Sequence, residues 1–129
     1  MKCLVVDHSA TMRRVLGNAL RGVGCDEVVE AADGKQALER CGRDTDAVVT
    51  AWNMPVMGGL ELTRHLRASP ETTGVRILMV TARNLKQDVL EAVQAGVNGY
   101  LLKPFTLEAL KLKLEELLQP AAGDQAKAA

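Results

Sequence analysis

Three short apolar strings constrain this chain more than any other feature: Leu4-Val5-Val6, Ala47-Val48-Val49 and Ile77-Leu78-Met79-Val80. Successive side chains of a strand point to opposite faces, so a strand with one face in water alternates apolar and polar residues. A string with no polar interruption is covered on both faces, and strands covered on both faces belong to parallel sheets. Strand-type runs span Cys3–Val6, Glu27–Ala31, Ala47–Ala51, Ile77–Thr81 and Tyr100–Leu102. Helical patterns are predicted over Ala10–Gly22, Gly34–Cys41, Gly59–Ala68, Leu85–Ala95 and Leu107–Leu118, and Gly24, Gly42, Gly74, Gly96 and Gly99 punctuate the connections. The result is five βα units with right-handed crossovers. This is an α/β fold, a doubly wound (βα)5 with a five-stranded parallel sheet flanked by five helices.

Local signals agree. Asp33 with Gln36, and Asn84 with Gln87, have capping-box spacing, and Thr106 is placed to cap the last helix. In that helix Leu107, Leu110, Leu114, Leu117 and Leu118 form one apolar stripe, while Lys111, Lys113, Glu115 and Glu116 face elsewhere. Residues 1–119 are expected to form the domain and residues 120–129, which lack periodicity, a flexible tail.

Composition excludes several classes. Sixteen basic and sixteen acidic residues cancel, so bulk charge does not point to a nucleic-acid or anionic-membrane binder. No apolar stretch approaches the ~20 residues that span a bilayer. The N-terminus reaches Asp7 too early for a signal peptide. A cytoplasmic monomer is expected, with Cys3, Cys25 and Cys41 as reduced, mostly buried thiols, since their number is odd and their spacing is not of metal type.

In open α/β sheets, ligands sit at the carboxyl ends of the strands. Here those ends carry Asp7-His8, Ala51, Thr81-Ala82 and Lys103-Pro104. Five motifs run in order: Leu4-Val5-Val6-Asp7, Thr11-Met12-Arg13-Arg14, Trp52-Asn53-Met54-Pro55, Val80-Thr81-Ala82 and Gly99-Tyr100-Leu101-Leu102-Lys103-Pro104-Phe105. Together they resemble the receiver domain of bacterial response regulators over residues 2 to 119, most closely the single-domain chemotaxis receivers of the CheY type. The resemblance implies a flavodoxin-like fold and a set of roles. The phosphoacceptor position falls on Ala51, and the two acids that hold Mg²⁺ fall on Asp7 and His8. The position that lends a carbonyl to the metal falls on Asn53. The phosphoryl-contacting hydroxyl falls on Thr81, the phosphate-pairing lysine on Lys103 and the switching aromatic on Tyr100. The Lys103–Pro104 peptide is a cis candidate.

The departures from the family pattern matter more. A methyl group at Ala51 has no lone pair, so it is neither a nucleophile nor a metal ligand. With Ala51 and His8 in place of carboxylates, Asp7, a carbonyl and water form a poor site for Mg²⁺, and no cofactor is expected. His8 beside Asp7 suits Zn²⁺ or Cu²⁺ better. Cys3 lies about 13 Å away along the strand, however, and two ligands make a weak site, so a solvated surface histidine is the preferred reading. Gly58, where the family often has Asp, is expected to affect only the geometry of a turn. A Lys103–Asp7 pair is expected to contribute little if exposed. Losing crowded carboxylates removes repulsion, which predicts a folded domain.

Each residue also has a plainer role. Thr81 suits a strand end, Tyr100 a packed ring with a wet hydroxyl, and Arg13 and Arg14 a solvated helix start rather than a kinase-docking patch. Trp52 is expected to be a partly exposed loop residue near the site. Lys86, Lys111 and Lys113 are equally a soluble surface or part of an output face made by the last two helices and the fifth strand.

The function expected is that of a two-component receiver of chemotaxis type, unable to accept phosphate. Its partners would be a sensor histidine kinase and an output protein such as a flagellar motor switch. Intact flanks around Ala51 favour an engineered replacement, whereas His8 favours a natural pseudo-receiver. The alternative is an adaptor that binds a partner without any phospho-switch. An enzyme is disfavoured, since neither a strand-end carboxylate at position 51 nor a Ser–His–acid or HExxH pattern is present.

Overall fold

Strands and helices alternate through the whole of residues 1–119, which the computed structural model describes. They are β1 (Lys2–Val6), α1 (Ala10–Gly22), β2 (Glu27–Ala31), α2 (Gly34–Arg40), β3 (Ala47–Ala51), α3 (Gly59–Ala68), β4 (Arg76–Thr81), α4 (Lys86–Ala95), β5 (Gly99–Leu102) and α5 (Leu107–Leu118). Each lies where the apolar pattern predicts it, with single-residue differences at one end of β1, α2, β4, α4 and β5. The tail expected over residues 120–129 lies outside the described residues. All strand pairs are parallel, in the order β2-β1-β3-β4-β5. The order reverses between β1 and β3, which opens a crevice at their carboxyl ends.

The unbroken apolar strings produce two cores by strand parity. Cys3, Val5, Ala47, Val49, Leu78 and Val80 pack against Leu16, Ala19 and Leu20 of α1 and Leu110, Leu114 and Leu117 of α5. Leu4, Val6, Val48, Ile77 and Met79 pack on the other face against Ala37 of α2, Leu62 and Leu66 of α3 and Ala92 of α4. Every residue of β3 is buried, as a central strand of a sheet covered on both faces must be.

Three helix starts carry side-chain caps. Ser9, Asp33 and Thr106 accept hydrogen bonds from the amides of Met12, Gln36 and Ala109. The capping box predicted for Asn84 and Gln87 does not form. The amides of Asp88 and Val89 bond to the Leu85 carbonyl, so Leu85 is the N-cap and Asn84 lies one residue outside the helix. Leu107, at the first position of α5, is exposed rather than part of the buried stripe, and Leu118 is half-buried. Trp52 is also corrected. It is buried, 8% exposed, because Val48, Thr50 and Trp52 continue one parity and the indole joins the core of the second face.

Two features fix how helices meet strands. A Cβ on Gly59 would stand 2.0 Å from the Ala51 carbonyl oxygen, so only glycine lets α3 begin so close to the end of β3. Its amide donates to the Trp52 carbonyl at 2.8 Å. At the opposite rim, half-buried Arg67 of α3 donates to the Gly96 carbonyl through Nε (3.0 Å) and Nη2 (2.8 Å), to the Thr73 carbonyl (2.8 Å) and to Asn98 Oδ1 (2.9 Å). It also bonds the Val75 carbonyl. Gly96, at φ +117°, is the left-handed C-cap of α4.

Gly59→Ala is expected to lower unfolding free energy by about 2 kcal/mol or more, through overpacking against rigid backbone, measured by urea titration. Arg67→Ala, which strands several carbonyls at once, is expected to cost about 1–3 kcal/mol in the same assay.

Candidate functional site

The ladder register brings four strand ends to one rim. Val6 pairs with Thr50, Ala51 with Val80, and Thr81 with Leu102. Asp7, Ala51, Thr81 and Lys103 therefore stand side by side, at the roughly 4.8 Å spacing of neighbouring strands. Asp7, Ala51 and Thr81 are 5%, 4% and 4% exposed, so the floor of the site is almost closed to solvent.

Asp7 is held on one side only. Its Oδ1 accepts the Ser9 amide at 2.8 Å. Its Oδ2 is buried and accepts no hydrogen bond from any described residue. Lys103 Nζ stands 3.5 Å from that oxygen. The pair forms, and the condition under which it would contribute little, exposure, is not met at the carboxylate. The carboxylate is 7% exposed and the ammonium 30%, so the attraction is screened far less than at the surface. The Lys103 amide donates to the Thr81 carbonyl at 2.9 Å, and the Lys103–Pro104 peptide is cis.

Arg13 also differs from the solvated residue expected. Its Nη1 donates to the Asp7 carbonyl at 2.7 Å and its Nε pairs with Glu30 at 2.9 Å, so it braces the β1–α1 loop from below. Arg14 is exposed. In the loop after β3, the Met57 amide donates to the Pro55 carbonyl at 2.7 Å, and Val56 sits at φ +68°. This is a γ-turn, a strained conformation for a β-branched residue. Gly58 is the N-cap of α3 and supplies no side-chain cap.

A residue that sequence reasoning missed joins the walls of the site. The Arg83 guanidinium lies 4.6 Å from the centre of the Trp52 ring. Its Nη2 donates to Asn53 Oδ1 at 3.1 Å, and its Nη1 is 3.7 Å from Asp88 Oδ1. Its amide donates to Thr81 Oγ1 at 3.2 Å, and its carbonyl accepts the Tyr100 hydroxyl at 2.8 Å. Burial pushes the Tyr100 phenol above its ordinary range; the Asp88 carboxylate adds to the rise and Arg83 opposes it. The available signal was a basic residue two positions after Thr81, inside a loop already assigned to the site.

The donors do not form a hard-cation site. The unpartnered Asp7 Oδ2 is of the right type, but His8 is exposed and Ala51 offers only a methyl. Among the described residues no three of His, Cys, Asp and Glu come together to hold a metal ion. Mg²⁺ wants near-octahedral oxygen coordination, which these residues do not provide, and the Zn²⁺ or Cu²⁺ option at His8 finds no third ligand. Cys3 is fully buried in the core at the far end of β1, where burial, and next its contact with Cys25, push its thiol well above the ordinary range.

Known proteins are similar to this chain in sequence and fold. The family model of the response regulator receiver domain matches residues 3–115. Chemotaxis protein CheY-3 of Vibrio cholerae is 46% identical over 120 residues, covering 92% of either chain. Among solved structures, the chemotaxis response regulator CheY4 of Vibrio cholerae superposes with a TM-score of 0.80 at 34% identity, covering 91% of this chain and 98% of that one. The receiver domain of the sensor histidine kinase PA1611 of Pseudomonas aeruginosa, solved with a magnesium ion coordinated in its active-site cleft, does so at 0.77 and 32% identity, covering 90% and 95%. Fold and sequence therefore converge, and the chain belongs to the response regulator receiver family, with CheY-like chemotaxis proteins among its relatives.

Proposed function

We propose that this chain is a chemotaxis-type receiver in which the phosphorylation step is lost, because Ala51 occupies the phosphoacceptor position. The observation that carries this reading is the buried methyl at the end of β3, with Asp7 after β1 on one side and, on the other, Thr81 of β4 and Lys103 after β5. Aspartyl phosphorylation needs a carboxylate oxygen to attack phosphorus, and position 51 has none. The metal part of the site is reduced in parallel. The PA1611 receiver holds magnesium in its cleft, whereas here Asp7 is the one carboxylate among Asp7, Ala51, Thr81 and Lys103, and Lys103 stands against it. Thr81, Lys103 and Tyr100 are the residues that would answer a phosphoryl group, and Asp7 and Asn53, with His8 at a former acid position, are the remnant of the metal site.

The chain acts in the cytoplasm as a monomer through protein contacts, with a histidine kinase upstream and an output protein, in the manner of a motor switch, downstream. No helix among the described residues is long and apolar enough to cross a membrane. A phosphate-independent adaptor is the second reading. It is favoured by the exposed apolar side chains Leu85, Leu90, Val93 and Leu102 on α4 and β5, which offer a partner surface without any trigger.

Incubation with acetyl phosphate and Mg²⁺ is expected to leave the mass of the intact protein unchanged; a gain of one phosphoryl group on an aspartate refutes the reading. Ala51→Asp, alone and with His8→Asp, separates its two origins. Labelling of the single variant marks an engineered loss, and a requirement for both marks a natural pseudo-receiver. Ala51→Asp also sets a second buried carboxylate beside Asp7, and like charges disfavour ionisation of both. The variant is therefore expected to melt a few degrees lower without divalent cation, equivalent to about 1–2 kcal/mol, in a calorimetric scan.

A further inference from the structure

From the β4–α4 loop, the Arg83 side chain reaches both the β3–α3 loop and α4. Its guanidinium stacks 4.6 Å from the Trp52 ring centre, bonds Asn53 Oδ1 at 3.1 Å and stands 3.7 Å from Asp88. Trp52 and Asn53 belong to the β3–α3 loop, and Asp88 to the first turn of α4. The Asp88 carboxylate is 14% exposed, so the cation holds a partly desolvated partner. Its backbone is fixed too, between the Thr81 hydroxyl at 3.2 Å and the Tyr100 hydroxyl at 2.8 Å.

We infer that Arg83 is a built-in latch, a positioning residue that ties the β4–α4 loop to Trp52 and Asn53 and so holds Thr81 and Tyr100 in one arrangement without a phosphoryl group. The inference rests on the proposed loss of phosphorylation. Where a bound phosphoryl would have to draw the Thr81 side of the loop toward the site, the loop here is already held by an internal cation. The Tyr100 hydroxyl is committed to the Arg83 carbonyl, so whatever fixes Arg83 also fixes the ring at the edge of β5. The α4–β5 surface then presents a single conformation to a partner.

Trp52 is the only tryptophan of the chain, so its emission reports the latch directly. Arg83→Ala is expected to shift that emission, to displace the Tyr100 ring resonances and to speed amide exchange in the first turn of α4 about three- to tenfold, while β1 amides keep their rates. Arg83→Lys keeps a cation but not the fork, and is expected to fall between the two. Acetyl phosphate with Mg²⁺ is expected to move none of these signals in the unmodified chain. Should Arg83→Ala leave Trp52, Tyr100 and α4 unchanged, the latch is overturned. Should that variant fail to fold, Asn53→Ala, at an exposed loop position, gives the decision: an altered Trp52 emission with Tyr100 displaced supports the latch, and an unchanged pair of signals overturns it. Covalent phosphate on the unmodified chain would refute the phosphorylation reading alone, because the latch signals are recorded without phosphodonor.

Discussion

Burial of the sheet on both faces is the constraint from which the rest follows. Once the apolar strings of β1, β3 and β4 are buried on both faces, helices must cover both faces, and the connections must run from one rim of the sheet to the other. Parallel ladders in even register then deliver Asp7, Ala51, Thr81 and Lys103 to one edge. The site is a product of topology before it is a product of chemistry. A chain with these strings would gather its strand ends there whichever side chains stood on them, and this is why the scaffold tolerates a methyl at the centre.

The electrostatics of that centre are simple. One carboxylate and one ammonium face each other at 3.5 Å in a nearly closed pocket. Removing further acids from such a place relieves repulsion and leaves Lys103 with a single, well-matched counter-charge. The remaining polar atom, Asp7 Oδ2, has attraction but no hydrogen bond. A buried oxygen in that state costs stability, and the Lys103 ammonium offsets part of that cost through charge alone.

How much of this was legible in the sequence depended on whether a signal was local. The strand strings, the Asp33 and Thr106 caps and the strand-end residues all act through periodicity or near neighbours, and each stands where the pattern puts it. Asn84 shows the limit of local signals. Its spacing to Gln87 was right, but the chain turns one residue later, so the carbonyl of Leu85 opens the helix instead. Trp52 was misjudged because a loop position was weighed above strand parity, which carries on past the last ladder bond. The contacts of Arg83 and Arg67 are hidden for a different reason. Each does its work with residues from other elements, Arg83 with Asn53 thirty positions away and Arg67 with Gly96 twenty-nine away. No window along the chain holds both ends of such a contact.

The Arg67 cluster has a mechanical consequence. It fastens the C-cap of α4 through two bonds to the Gly96 carbonyl, whereas the N-cap at Leu85 has no side-chain bond of its own. At that end the first turn is held through a side chain by the Arg83–Asp88 pair. With that pair released, the helix would be a lever with its fulcrum at the rim farthest from Ala51. Ten residues at 1.5 Å each give it a length of about 15 Å, so a tilt of about ten degrees would sweep its first turn by roughly 2.6 Å and its anchored end hardly at all. Such a displacement would be graded along α4, greatest beside the strand-end rim, and a partner gripping the first turn would feel it where one gripping the last would not.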